Sequence, residues 1–102
     1  TVERGRTAEA RQILGRIKSA ETAYMLEWDS YTGSFTSLSI SVPVNACNSS
    51  YYYRYCISAN ATNFIAYATR CGATGKLPVY PVDYNLSISD SSDITATQNY
   101  LI

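Results

Sequence analysis

The apolar residues Ala10, Ile13, Leu14, Ile17, Ala20, Tyr24 and Trp28 recur at three- and four-residue spacing. That period paints one face of an α-helix. Strong helix formers (Ala, Glu, Arg, Gln, Leu) fill the same stretch. Gly15 costs about 1 kcal/mol relative to alanine in a helix interior, tolerable in a long helix, and leaves room for another backbone to approach. Asp29, Ser30 and Gly33 mark a stop. A helix over residues 3–29 is therefore predicted, roughly 40 Å long at 1.5 Å per residue. A domain of this size cannot cover that length, so the N-terminal turns are expected to project or to pack against another chain. Ile13, Ile17, Tyr24 and Trp28 are the expected core face, while Arg4, Arg11, Arg16, Lys18, Glu21 and Glu27 fall mostly elsewhere.

Charge divides the chain. Residues 3–29 hold ten of the sixteen charged side chains, and residues 30–102 carry only Arg54, Arg70, Lys76, Asp83, Asp90 and Asp93. The second part stays soluble through hydroxyls and amides, as extracellular surfaces often do. Formal net charge is zero, so nothing advertises a nucleic-acid partner. The 102 residues fit one domain with a modest core that a covalent staple would help. No run of apolar residues is long enough to span a bilayer. The first residue is Thr1 rather than Met, which reads as a processed or truncated chain.

Residues 30–50 read as a mostly irregular connector with a turn of helix near 35–39. A hairpin follows. Residues 51–58 and 63–71 are both β-prone, separated by Ala59-Asn60-Ala61-Thr62. A two-residue turn at Asn60-Ala61 and a four-residue loop at 59–62 give the same register. Tyr51, Tyr53, Tyr55 and Ile57 then share a face with Phe64, Ala66, Ala68 and Arg70. Large residues beside small ones make a seat for the helix. On the other face Arg54 sits opposite Tyr67. Residues 77–84 are read as a third strand, 85–97 as a Ser/Asp/Asn-rich loop, and 99–102 as a short closing strand. The whole is an α+β domain over 1–102: spine helix 1–29, connector 30–50, β-meander 51–84, C-terminal loop and closing segment 85–102.

Three cysteines and no histidine make a zinc site improbable and leave one thiol over. In the predicted register Cys56 faces residue 65. Cys71 then lies about 20 Å along the sheet at ~3.3 Å per residue, beyond the ~7 Å that a bridge tolerates. Cys47 and Cys56 are similarly separated along one extended segment. Cys71 faces residue 50, three residues from Cys47, so Cys47 and Cys71 are the expected pair. Closing that loop of about 25 residues is worth roughly 3 kcal/mol. Cys56 remains, either as a small buried hydrophobe or as an intersubunit or reactive thiol.

The stretch EARQILGRIKSAETAYMLEWDSYTGSFTSL resembles the soluble part of the first helix of type IV pilins and type II secretion pseudopilins. Ala20, Tyr24, Tyr31, Gly33, Phe35 and Leu38 stand in the family's pattern, and FIAYATR…GATGK is similar to its second strand and glycine-containing turn. The likeness spans roughly residues 6–80. It implies a pilin-like fold, a spine helix laid on an antiparallel sheet of three to four strands. It also implies an upstream apolar helix with an early Glu, following a prepilin cleavage site. Cys71 is the last cysteine here, so the C-terminal disulfide of many pilins is not matched.

The expected role is a structural subunit of a helical filament at the bacterial surface. It is anchored in the inner membrane through the upstream segment before assembly, with other copies and related pilins as partners. Glu3, Arg4, Arg6, Glu9 and Arg11 are the expected assembly contacts. The alternative is a minor pilin, a pseudopilin or an adhesin-like module, its tyrosine-rich strands holding a sugar or another protein. Catalysis is not expected. The chain has no histidine base, phosphate loop or nucleophile elbow. Neither metal nor cofactor is expected: Asp90 and Asp93 lack the EF-hand pattern. The three sequons, at Asn48, Asn60 and Asn85, are read as chance.

Overall fold

A computed structural model gives the chain as one long helix on a four-stranded antiparallel sheet, an α+β fold. The structure describes residues 2–76 and 84–97, with side chains from Gly5 onward. The elements are α1 (Val2–Trp28), β1 (Tyr53–Ala59), β2 (Phe64–Arg70), β3 (Asn85–Ser89) and β4 (Thr95–Ala96). The sheet is a simple meander, β1-β2-β3-β4. At about 1.5 Å per residue, the 27 residues of α1 match the 41 Å long axis of the molecule.

The buried stripe of α1 runs through Thr7, Ala10, Ile13, Leu14, Ile17 and Glu21. It lies on β2 and β3, where Ala66 and Ala68 are fully buried and leave space for the helix. Tyr53, Tyr55, Phe64, Leu86 and Ile88 complete the core. Burying Leu14 and Ile17 contributes roughly 1.5–3 kcal/mol each. Tyr24 is half-buried against this core, whereas Trp28, expected on the same face, is 62% exposed. The last turn overshoots the sheet, and Trp28 leans on Tyr24 instead, ring centroids 6.1 Å apart. The C-terminal turn thus overhangs the sheet, while the side chains of residues 1–4, where projection was expected, lie outside the described residues. Coverage begins at Thr7, and the turn holding Leu26, Glu27 and Trp28 stands clear. Asp29 ends the helix in the left-handed region (φ 57°), its amide donating to the carbonyl of Met25 at 2.8 Å.

The connector is irregular, with one turn at 35–39. Ile40 N–H donates to Phe35 O and Ser39 N–H to Thr36 O, both at 3.0 Å, with Ser39 at φ 58°. This is a Schellman closure with serine where glycine is usual. It turns Phe35, Leu38 and Ile40 into the core.

The hairpin's faces are as expected, but its register is two residues off. Cys56 pairs with Tyr67 and Tyr53 with Arg70. Asn60 is the cause: its Oδ1 accepts the amides of Thr62 (2.9 Å) and Asn63 (2.8 Å), centring the turn on Ala61-Thr62. A slip of two keeps every side chain on its face. Arg54 consequently sits opposite Thr69 rather than Tyr67.

Residues 85–97, read as a loop, contain β3 and β4. Leu86 and Ile88 point into the core while Asn85, Ser87 and Ser89 alternate with them, a period-2 pattern hidden by polar composition. The third strand expected at 77–84 lies, apart from Tyr84, outside the described residues, as does the closing strand at 99–102. Tyr84 O accepts Arg70 N–H at 3.0 Å.

Candidate functional site

Four segments meet at one corner: the start of α1, residues 51–53, the end of β2 and the 72–76 turn. Glu9 receives the Tyr52 amide at 3.2 and 3.1 Å on its two oxygens, and the Tyr55 hydroxyl at 3.1 Å. Burial, together with the Glu9 charge, pushes the Tyr55 phenol well above its ordinary value. The Tyr52 ring is ringed by cations: Lys76 Nζ at 4.8 Å, Arg70 Cζ at 5.1 Å and Arg6 Cζ at 5.5 Å from its centroid. Arg70 is buried, donating from Nη1 to the carbonyls of Tyr52 and Cys71, both at 3.2 Å. Beside this corner a disulfide joins Cys47 to Cys71, with Cα atoms 5.9 Å apart.

Arg6 and Glu9, expected to face a neighbouring subunit, are therefore engaged within the domain. Arg11 is exposed, and the side chains of Glu3 and Arg4 lie outside the described residues. Among the described residues the corner's polar groups hold one another across four segments, the arrangement of a clamp.

Glu21 is the residue that the sequence reading misplaced. It is fully buried. Its Oε1 accepts Thr32 N–H at 2.9 Å, and among the described residues Oε2 has no partner. Its position relative to Leu14 and Ile17, seven and four residues on, puts it on the core stripe. That spacing was available, but a charged side chain is rarely placed there. Burial raises its carboxyl above the ordinary 4.5, and the Thr32 amide opposes the rise. A raised carboxyl binds more protons folded than unfolded, so stability falls as pH climbs from the ordinary value through the raised one. Glu21→Gln should flatten that slope. The expected result is a urea midpoint above wild type at pH 8 that converges with it near pH 4. Parallel midpoint curves across that range would contradict the assignment.

Two shallow grooves flank the Ser39–Ile40 rib. One, of about 700 Å³, runs between α1 (Gln12, Gly15, Arg16, Ser19) and Leu38–Ile40. The other, of about 420 Å³, lies between Phe35–Thr36 and Ser41–Val44. Gly15 borders open space, since a Cβ there would meet nothing within 4 Å.

The sheet's outer face carries Arg54, Cys56, Ile65, Tyr67, Thr69, Asn85, Ser87 and Ser89. Cys56 is a free, half-buried thiol there, not a core residue. Asp90 accepts the Phe64 amide at 3.1 Å and Asp93 the Ile94 amide at 2.8 Å, so both carboxylates serve local backbone. Among the described residues no group of three or more His, Cys, Asp or Glu could hold a metal ion. Among them also, no helix is long and apolar enough to cross a membrane. Compared with known proteins, the chain matches no family model, no curated protein and no solved structure.

Proposed function

We propose that this chain is the globular part of a subunit of a type IV pilus or related helical filament, assembling beside copies of itself and related pilins. The observation that carries the reading is the architecture. A helix as long as the molecule is covered along one stripe only, on a small antiparallel meander, an arrangement consistent with a pilin-like fold. The uncovered side of α1, with Arg11, Gln12, Arg16, Ser19, Thr22 and Ala23 exposed, is free for lateral contact. Between contacts of this heterologous kind, copies stack without closing into a ring. An upstream apolar helix would hold the subunit in the inner membrane before assembly and become buried among neighbours in a filament at the bacterial surface. Metal, cofactor and nucleic acid play no part in this reading.

The sheet's outer face favours a second role, that of a minor, adhesin-like subunit. Tyr67 lies between Cys56 and Ser87 on a face otherwise rich in hydroxyls and amides, and Arg54 is the sole charge among the face residues named above.

Expression of the complete gene product tests the main reading. Filaments are expected by electron microscopy, and Arg11→Glu should lower their number at least ~10-fold while leaving domain stability within about 0.5 kcal/mol, as for other exposed substitutions. A gene product that makes no filaments, or that carries no apolar stretch ahead of Thr1, overturns it.

A further inference from the structure

The tip of α1 is the least satisfied surface of the described residues. Leu26 is 85% exposed and Trp28 62% exposed, the two most exposed large apolar side chains, and Glu27 and Asp29 beside them are exposed too. The charges along the helix run against its own dipole. All five basic residues, Arg4, Arg6, Arg11, Arg16 and Lys18, fall in the N-terminal two thirds, together with Glu3 and Glu9, while the end carries only the acidic Glu21, Glu27 and Asp29. The last turn holds no basic residue, although a helix C-terminus favours cations. Within the described residues no ion pair engages Arg16, Glu27 or Asp29. An acidic, apolar tip of this kind calls for a basic, apolar receptor.

The molecule carries one. The groove between α1 and residues 38–40 has apolar walls from Ala20, Leu38 and Ile40, a floor left open at Gly15, and the exposed Arg16 guanidinium on its rim. The groove is shallow and open, with a volume of about 700 Å³, so it can receive one face of an indole rather than enclose it. Tip and groove lie on the same rigid helix about a dozen residues apart, roughly 18 Å at 1.5 Å per residue, so no copy can fill its own groove.

We propose that the Leu26–Trp28 tip of one copy seats in the Gly15 groove of a second copy, with Glu27 and Asp29 set against Arg16. The contact joins two different surfaces, so its repetition extends a row of copies instead of closing a dimer. It rests on the filament reading for its biological setting and specifies one of the lateral contacts within it.

Trp28 is the single tryptophan of the chain, which makes the contact directly readable. The experiment titrates an excess of the Trp28→Ala chain, which has no tryptophan and keeps its groove intact, into dilute wild-type chain, with excitation at the red edge where tyrosine does not absorb. Wild-type emission should shift to the blue and saturate. A titrant carrying Gly15→Leu as well should produce no shift; a Cβ there meets nothing within 4 Å, the rest of the leucine occupies the groove, and the unfolding midpoint of the variant serves as its control. An unchanged emission overturns the proposal, because a tip-to-tip contact would need a second Trp28. An equal shift with the Gly15→Leu titrant also overturns it. Filaments from the complete gene product that persist with Gly15→Leu sink this contact and spare the filament reading. A saturating shift without any filaments does the reverse.

Discussion

Alanine at Gly75 is expected to destabilise the fold by on the order of 3 kcal/mol, the upper part of the overpacking range, measured as a fall in urea midpoint at constant slope. Gly75 is buried in the turn after β2, and a Cβ there would collide with Cys71 Cβ and lie 3.2 Å from its Sγ and 3.3 Å from the carbonyl of Tyr51. None of these is the far end of a flexible side chain. Cys71 is tied to Cys47, and Tyr51 O accepts the Lys76 amide at 2.8 Å. Relief therefore means moving the turn, which breaks that hydrogen bond and displaces Lys76 from the Tyr52 ring. Torsion plays no part, since no glycine has positive φ among the described residues. Gly72→Ala is the control: it is exposed with nothing within 4 Å, and its effect should stay within about 0.5 kcal/mol. Equal midpoints for the two variants would show that the turn yields freely. Because the closest contact is to Cβ, Gly75→Ala should remain costly in a Cys71→Ala background.

Removing the Cys47–Cys71 bridge, by reduction or by the double alanine variant, is the second large effect. The bridge spans a sequence separation of 24 and encloses all of β1 and β2. The chain-entropy model assigns such a loop roughly 3 kcal/mol. For a domain near 100 residues that corresponds to a drop in Tm of about 12–24 °C. Scanning calorimetry of oxidised and reduced protein measures it. A drop below about 3 °C would mean that the hydrogen bonds of Pro43 and Asn45 with Tyr55 of β1, and of Lys76 with Tyr51, already confine the segment.

Much of this fold was legible in the residues, because local periodicity carried it. Ala10, Ile13, Leu14 and Ile17 announce the helix and its buried side. Tyr53 and Tyr55 against Ala66 and Ala68 announce the seat. The pairing of Cys47 with Cys71 survived a register that was two residues wrong, because a shift of two still leaves Cys71 beside the segment before β1 and far along the sheet from Cys56. Asn60 could have corrected the register, since a side-chain oxygen two residues before a donor is a known turn former. Leu86 and Ile88 were obscured by the serines between them.

Alternation and helical spacing, written into neighbouring residues, determined that this chain forms one amphipathic helix and a hairpin with a known inner face. Only the tertiary structure decided where the sheet stops beneath the helix. It leaves Trp28 in solvent, encloses Glu21 with one oxygen unmatched, and turns Arg6 and Glu9 inward onto Tyr52. Those outcomes depend on contacts between segments tens of residues apart, and periodicity within a segment cannot report how far its partner extends.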